Sequence, residues 1–301
     1  MMNLFFRLFL GASIVALCTL TIACGDDNSD FATRPDGKES SSSSILKSNS
    51  SVTNVSSGSS VTLATPCKTD STDTCEYGTL TDSRDGQTYK TVKIGDQIWM
   101  AENLNYAYIG IPFKYKESTS DSTSWCYGDD PAYCSKYGRL YTWAAAMDSA
   151  GMWSTNGKGC GYETTCSPIY PVRGVCPVGW HLPTRTEWNT LLIAVGDFST
   201  AGHMLKSTSG WDWNWKWNNY EGQSGNGTDA FGFSVLPVHG RDHDGKYYDE
   251  GCVEGCFANF WSSSRDYGQL TYYLYLVYYE LTATLAANDL VYGFSVRCVR
   301  D

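Results

Sequence analysis

The sequence has few charged residues, and those it has are mostly acidic. Only 18% of the 301 residues are charged, and 22 basic against 32 acidic side chains give a formal net charge of −10. Nucleic-acid binding depends on lysine and arginine that neutralise phosphates, and the chain contains no basic run. The composition therefore argues against nucleic acid as a partner.

Catalytic signature motifs are also lacking. The sequence contains no Gly-x-Ser-x-Gly, no His-Glu-x-x-His and no phosphate-binding glycine loop. None of its four histidines stands at a spacing typical of a nucleophile–base pair. We therefore expect a non-catalytic protein without a cofactor.

Long apolar runs are confined to the first residues of the chain. Arg7 precedes an apolar run from Leu8 to Ala23, which is the layout of a signal peptide over residues 1–23. The segment Leu20–Cys24 resembles a bacterial lipobox and predicts lipid attachment at Cys24, with a plain signal peptide as the alternative. Acyl chains on Cys24 would hold the protein at a membrane. An aspartate directly after the lipid-modified cysteine favours retention at the inner membrane, so Gly25 at that position favours the outer membrane. The predicted location is a surface-exposed outer-membrane lipoprotein, and a periplasmic or secreted protein is the alternative.

A serine-rich segment separates the predicted lipid site from the rest of the chain. Twelve of the 21 residues from Ser40 to Ser60 are serine. Such a segment cannot bury enough apolar surface to offset its ordering entropy. We therefore predict a disordered linker over residues 24–66 and one domain over residues 67–301, in which no repeat is evident.

Local patterns predict several elements within this domain. The clearest are a hairpin that turns at Gly95–Asp96 and a helix that begins at Thr184 with a capping box to Glu187. The hairpin strands are Thr88–Ile94 and Gln97–Met100, further strands are predicted at Phe231–Val238, Tyr272–Tyr279 and Gly293–Val299, and further helices at Tyr141–Ala150 and Ala201–Ser207. Glu187 could also be a general acid, but the capping box already accounts for it, and we expect His181 to form local hydrogen bonds.

Cysteines are abundant, and their even number in an exported chain favours disulfide bonds. Besides Cys18 in the signal segment and Cys24, ten remain. Spacing suggests the pairs Cys67/Cys75, Cys126/Cys134, Cys160/Cys166 and Cys252/Cys256, which leaves Cys176 with Cys298, although other connectivities stay open. A zinc site is the alternative, but the chain has no Cys-x-x-Cys. The Cys252–Cys256 spacing is one residue too long for the usual oxidoreductase motif.

Six segments follow one another in a characteristic order. They are DSRDGQTYKTVKIGDQIWMAENLNY from Asp82 to Tyr106, YGRLYTWAAAM from Tyr137 to Met147, CPVGWHLPTRTEW from Cys176 to Trp188, GNGTDAFGFSVLP from Gly225 to Pro237, FWSSS from Phe260 to Ser264 and GFSVRCVRD from Gly293 to Asp301. Together they resemble the Fibrobacter succinogenes major paralogous domain over residues 76–301. That family is typically found on exported proteins of fibre-degrading bacteria.

Two of these segments resemble a second family. HLPTRTEW and the terminal GFSVRCVR are similar to the formylglycine-generating enzyme domain, which has a C-type-lectin-like fold. The resemblance implies an irregular α+β fold, stabilised here by disulfides, with neighbouring terminal strands. The enzyme family uses a copper-binding cysteine pair, which we cannot place on this sequence, so only the fold is carried over.

The most unusual segment alternates tryptophan with polar residues. Trp211, Trp213, Trp215 and Trp217 would share one face of an extended strand, with Tyr220 nearby. The indoles could pack into the domain, or they could form an exposed ladder that lies flat against sugar rings. Packing into the domain is slightly favoured, and the second interpretation makes these five residues candidate ligand-binding residues.

One acidic cluster is a weak candidate for calcium. Asp242, Asp244 and Asp249 place carboxylates near one another, as a calcium loop does, but the full twelve-residue pattern is missing. An ordinary turn at Asp244–Gly245 explains the same residues, and we favour the turn.

These observations lead to one main hypothesis and two alternatives. The main hypothesis is an exported cell-envelope lipoprotein whose domain binds a surface ligand or mediates adhesion, with plant-type polysaccharide as the expected ligand. The first alternative is an enzyme related to formylglycine-generating and sulfatase-modifying proteins. The second is a structural envelope protein. The oligomeric state is not predicted.

Overall fold

The computed structural model describes residues 61–109, 113–115, 118–120, 124–212, 224–247 and 255–301. Several predictions concern other residues and lie outside this part of the chain. They are the signal peptide at 1–23, lipidation of Cys24, the linker up to residue 60, and the roles of Trp213, Trp215, Trp217, Tyr220, Asp249 and Cys252.

The first sheet has five antiparallel strands in the order β1-β2-β3-β13-β8. Their bounds are β1 Tyr77–Thr81, β2 Thr88–Ile94, β3 Gln97–Met100, β8 Trp180–His181 and β13 Val299–Arg300. The predicted hairpin of β2 and β3 is confirmed. Its turn contains Gly95 at φ +57°, a conformation that glycine adopts without strain.

The second sheet has six strands in the order β11-β10-β9-β12-β7-β6. Their bounds are β6 Ser124–Trp125, β7 Leu140–Thr142, β9 Phe257–Arg265, β10 Leu270–Val277, β11 Thr284–Asp289 and β12 Gly293–Ser295. Strand β12 pairs parallel to β9, and the other pairs are antiparallel. A separate hairpin joins β4 Phe113–Tyr115 to β5 Ser118–Ser120.

Helices are short and few in the described residues. They are a 3-10 turn at Tyr127–Asp129, α1 Pro131–Tyr137, α2 Trp143–Ala146, α3 Arg185–Ala194 and α4 Ala201–Leu205. Helix α3 begins at the predicted capping box, which is confirmed: the Thr184 hydroxyl accepts from the Glu187 amide, and the Glu187 carboxylate accepts from the Thr184 amide. No described helix is both long and apolar enough to cross a membrane. The two sheets, together with a few short helices, confirm the predicted α+β class of this domain.

Helix α3 packs between the two sheets. Trp188 is fully buried and stacks on Trp99 of β3, with ring centroids 4.6 Å apart. The same core cluster includes Phe260 of β9 and Leu274 of β10. A capped amphipathic helix therefore joins the first sheet to the second.

Four disulfides link described cysteines. They join Cys67 to Cys75, Cys126 to Cys134, Cys160 to Cys166, and Cys176 to Cys298. These pairs agree with the pairing suggested by spacing. Cys256 is also disulfide-bonded. The Cys176–Cys298 bond spans 122 residues and ties β13 to the segment before β8.

The predicted strand at Phe231–Val238 is wrong. Residues 229–232 form a turn, in which the Gly232 amide donates to the Asp229 carbonyl at 3.0 Å. The Asp229 carboxylate also accepts from both the amide and the hydroxyl of Ser234. Gly232 and Ser234 both have positive φ values, which an extended strand excludes. Only Val235 makes an isolated bridge, to Lys206.

Two other predicted elements have different bounds in the structure. The predicted strand Gly293–Val299 is two strands, because the chain passes from the second sheet to the first after Ser295. The predicted helix at Tyr141–Ala150 shortens to α2, since Tyr141 pairs within β7.

The last residues of the predicted linker belong to the packed domain. The Ala64 amide donates to the carbonyl of Ala194 at 2.8 Å, and Val61 and Ala64 pack against the core around α3. The linker prediction is therefore wrong for residues 61–66, because Val61 and Ala64 pack against the hydrophobic core of the domain.

Candidate functional site

Trp211 is part of the core and not of an exposed ladder. Its side chain is 4% exposed, and Nε1 donates to Ser207 Oγ at 3.1 Å and to the Val235 carbonyl at 3.0 Å. For Trp211 the structure agrees with core packing, the interpretation that the sequence slightly favours, and not with a place in an exposed ladder. A buried indole whose N–H is satisfied inside the domain cannot present a face to a ligand.

Asp242 and Asp244 lie in a tight turn. The Asp242 amide donates to the Lys246 carbonyl at 2.7 Å, and Gly245 has φ +88°. One oxygen of Asp244 lies 2.8 Å from the Lys246 ammonium group. Within the described residues no cluster of metal-ligating side chains occurs.

His181 lies between two carboxylates. Its Nε2 is 2.7 Å from Glu187, and its Nδ1 is 2.7 Å from Asp301, while the imidazole itself is buried. Burial alone would lower the pKa of His181, but hydrogen bonds and charges of Glu187 and Asp301 outweigh it and raise this pKa. Burial likewise opposes ionisation of Glu187, yet His181 and Thr184 lower its pKa. The cluster joins the start of α3 to the last residue and is structural, as the sequence indicates for Glu187.

The His181 cluster predicts a stability that falls as the solution becomes alkaline. A raised pKa in the folded state contributes stability below the ordinary value of 6.5, and this contribution is lost as pH rises through the folded-state pKa. Urea denaturation from pH 5 to 9 should show the His181→Gln deficit shrinking as pH rises. His203→Gln is the control with the opposite sign, because burial and then Lys206 lower the pKa of His203. A His181→Gln deficit that is constant over this range would contradict the prediction.

The second sheet carries a pocket lined by aromatic rings, which we call the tyrosine pocket. It encloses about 330 Å³. Its lining residues are His239, Gly240, Asp242, Phe257, Asn259, Tyr273, Tyr275, Asn288, Tyr292 and Phe294. Strands β9, β10, β11 and β12 all contribute, so the pocket exists only once these strands have paired.

Because side chains alternate between the two faces of a strand, two tyrosines of β10 lie on the face that carries this pocket. Leu274 and Leu276 are fully buried in the core around α3, whereas Tyr273 and Tyr275 are half-buried on the opposite face. The register places Tyr275 opposite Asn259 of β9, so the amide lies beside the ring.

The rings of Tyr273, Tyr275 and Tyr292 are half-buried, and Phe294, which is 4% exposed, packs among them. Tyr273 lies 6.0 Å from Tyr275 and 5.0 Å from Phe294, and Phe294 lies 5.8 Å from Tyr292, measured between ring centroids. Their planes differ by 25° to 32°. The neighbouring rings are therefore stacked or tilted rather than T-shaped.

Polar groups stand among the rings. Asn259 is 8% exposed, and its side-chain amide has no hydrogen-bond partner among the described residues. His239 Nδ1 lies 3.1 Å from the Gly240 carbonyl, to which it donates, which leaves Nε2 as an acceptor. Asn288 Oδ1 accepts from the Asp289 amide at 2.9 Å, so its Nδ2 group remains a donor.

The tyrosine hydroxyls stay protonated. Burial, followed by the charges of neighbouring groups, raises the pKa of both Tyr273 and Tyr275 above the ordinary value of 10. At neutral pH both side chains are uncharged donors and acceptors. The pocket thus combines flat apolar faces with hydroxyl and amide groups that suit a hydroxyl-rich ligand.

Sequence reasoning missed this pocket although one signal was present. The strand at 272–279 was predicted as buried or half-buried, without a role for its tyrosines. The alternation of tyrosine with leucine from Tyr273 to Leu276 indicates a strand with one aromatic face. Asn259, Tyr292 and Phe294 carry no local signal, because they reach the pocket through strand pairing.

The fold and this site define a disulfide-linked α+β domain with an aromatic pocket on one sheet. Comparison with family models matches residues 92–300 to the Fibrobacter succinogenes major domain, and the chain belongs to that family. Searches of curated proteins and of solved structures find no match to the chain.

Proposed function

We propose that the domain is a non-catalytic binding module whose tyrosine pocket takes a polysaccharide. The observation that carries the proposal is Asn259, whose residue is 8% exposed and whose side chain lines a pocket together with aromatic rings. An amide beside a pocket offers both a donor and an acceptor to a ligand. A sugar hydroxyl satisfies an amide while its C–H face covers a ring.

The chemistry of the pocket favours an uncharged sugar polymer. Its donors and acceptors are neutral amides, hydroxyls and an imidazole, and its one carboxylate is that of Asp242. The whole chain carries a net charge of −10, which repels polyanions. A neutral plant-type polysaccharide therefore fits better than an acidic one.

The cellular setting is part of the same proposal. The signal-like segment, Cys24 and the serine-rich segment support an exported lipoprotein, anchored at the outer membrane and active in adhesion at the cell surface. Disulfides between described cysteines are consistent with an oxidising compartment.

We further propose that the fold is related to the C-type-lectin-like fold of formylglycine-generating enzymes. Support comes from β1 and β13, which lie in one sheet although they are near opposite ends of the domain. The enzymatic alternative finds less support, because Cys298 is bonded to Cys176 and so is not a free thiol. A purely structural envelope role has no observation that favours it over binding.

Retention on insoluble neutral polysaccharide tests the binding proposal. We expect the full chain to bind, and Asn259→Ala or Tyr273→Ala to reduce the affinity about tenfold, since the loss of a hydrogen bond or of an aromatic contact with the ligand costs about 1 kcal/mol or more.

Tyr272→Ala is the matched control for Tyr273→Ala. Tyr272 is the preceding residue of β10, and its hydroxyl donates to Asp266 at 2.6 Å outside the pocket. The Tyr272→Ala variant should therefore bind the polysaccharide as well as the unsubstituted chain does. Equal retention of all variants, or no retention of the unsubstituted chain on any neutral polysaccharide, would overturn the proposal. Retention on an acidic polysaccharide alone would overturn the preference for an uncharged ligand.

A further inference from the structure

Arg139 contacts both sulfur atoms of one disulfide. Its Nη1 lies 3.2 Å from Cys134 Sγ and 3.5 Å from Cys126 Sγ, and Nε donates to Ser124 Oγ at 3.2 Å. The guanidinium group is thus held in place beside the Cys126–Cys134 bond by a third contact. A fixed cation next to sulfur stabilises the thiolate form.

The other disulfides lack this feature. Among the residues that the structure describes, no cationic side chain donates to a sulfur of Cys67–Cys75, Cys160–Cys166 or Cys176–Cys298. Loop length does not set Cys126–Cys134 apart, because its cysteines are 8 residues apart, as are Cys67 and Cys75. The guanidinium contact is therefore its distinguishing property.

Burial distinguishes the two sulfur positions. Cys126 is half-buried, whereas Cys134 is only 7% exposed and lies closer to Arg139. Attack by an external thiolate is therefore easier at Cys126. The leaving sulfur is then that of Cys134, where the cation is nearest. The accessibility of Cys126 and the closeness of Arg139 to Cys134 therefore both favour attack at Cys126 with Cys134 as the leaving thiolate.

We propose that Cys126–Cys134 is the thiol-exchange site of this domain and that its reactant is a dithiol. One thiolate of the dithiol attacks Cys126 Sγ and forms a mixed disulfide. The bond between the cysteines breaks, and its electron pair goes to Cys134 Sγ as a thiolate beside Arg139. The second thiol then displaces Cys126, so the dithiol ends as a disulfide and its two protons end on the two cysteines. The dithiol loses two electrons, and the cysteine pair gains them.

Opening this bond would change the wall of a second pocket. Helix α1 carries Cys134, and residues 134–138 line a pocket of about 330 Å³ together with Asn103 and Arg297. Asn103 Nδ2 donates to the Tyr137 carbonyl at 2.8 Å, which keeps the end of α1 attached after reduction. The exchange is therefore local and leaves the two sheets intact.

Timed reduction of the native full chain with dithiothreitol tests the proposal. Samples are alkylated at intervals, and labelled cysteines are quantified by peptide mass spectrometry. Cys126 and Cys134 should be labelled first, ahead of Cys160 and Cys166, which close a loop of similar length. In Arg139→Gln the opening of Cys126–Cys134 should slow about three- to tenfold, following the dependence of exchange on the pKa of the leaving thiol, while the other rates stay the same.

Two further measurements keep the result interpretable if Arg139→Gln folds poorly. Arg139→Lys retains the positive charge and should restore a large part of the rate. In Cys126→Ser, the pH dependence of alkylation should give Cys134 a thiol pKa below the ordinary value of about 8.5. The proposal fails if Cys67–Cys75 or Cys160–Cys166 opens before Cys126–Cys134. It also fails if Arg139→Gln and Arg139→Lys both leave the rate unchanged, or if Cys134 titrates at or above its ordinary value.

Discussion

Replacing Cys176 and Cys298 together by alanine should lower the free energy of unfolding by about 5 kcal/mol. The bond closes 122 residues, and the loss of loop-closure entropy in the unfolded chain grows with the length of the closed loop. Both cysteines are fully buried, and alanine keeps part of their packing. Urea denaturation of the double variant measures the change.

The double variant Cys67→Ala, Cys75→Ala is the matched control. Its bond spans only 8 residues, for which the same entropy model predicts about 2.5 kcal/mol. An equal loss in the two double variants would contradict the view that the long cross-link, which ties the last strand to the middle of the domain, is the main covalent constraint.

Trp188→Ala should cost about 3–5 kcal/mol, the usual range for a large aromatic residue removed from a packed core. Trp188 is fully buried, stacks on Trp99 and donates Nε1 to the Trp261 carbonyl at 3.2 Å. Its loss leaves a cavity where α3 meets both sheets, and that carbonyl loses its indole donor. Chemical denaturation measures the change.

Tyr267→Ala provides the comparison for Trp188→Ala. Tyr267 is 88% exposed in the turn between β9 and β10, so its replacement should change stability by less than about 0.5 kcal/mol. A loss for Trp188→Ala as small as that for Tyr267→Ala would show that α3 does not join the two sheets energetically.

Features set by neighbouring residues were predictable from the sequence. The β2–β3 hairpin needs only a tight turn at Gly95, and α3 needs only the capping box from Thr184 to Glu187. The short disulfide pairs follow from close spacing in the same way. In each case the stabilising partner lies within about ten residues, so the local pattern contains the interaction.

Features set by distant pairing were not predictable. The alternating tryptophans made Trp211 a ligand candidate, but its N–H partner is the carbonyl of Val235 in another segment. The strand predicted at Phe231–Val238 failed because the Asp229 side chain stabilises a turn. The tyrosine pocket needs the parallel pairing of β12 with β9, which brings Phe294 next to Tyr273 and which no local pattern encodes.

The proposed binding surface is the tyrosine pocket of the second sheet, while the roles of Trp213, Trp215 and Trp217 stay predictions. The ligand chemistry expected from the sequence remains, since aromatic faces and amides serve the same purpose on either surface. Because the pocket lies on strands whose other face packs against α3, its rings sit on a rigid support. We therefore expect little rearrangement of Tyr273 and Tyr275 on binding.

The most direct test is a titration with a soluble neutral oligosaccharide, followed by NMR of assigned side-chain amides and aromatic rings. The account predicts saturable shifts at the Asn259 amide and the Tyr273 ring, and their loss in Tyr273→Ala but not in Tyr272→Ala. Saturable shifts that leave Asn259 and Tyr273 unaffected, or no shifts with any neutral oligosaccharide, would contradict it.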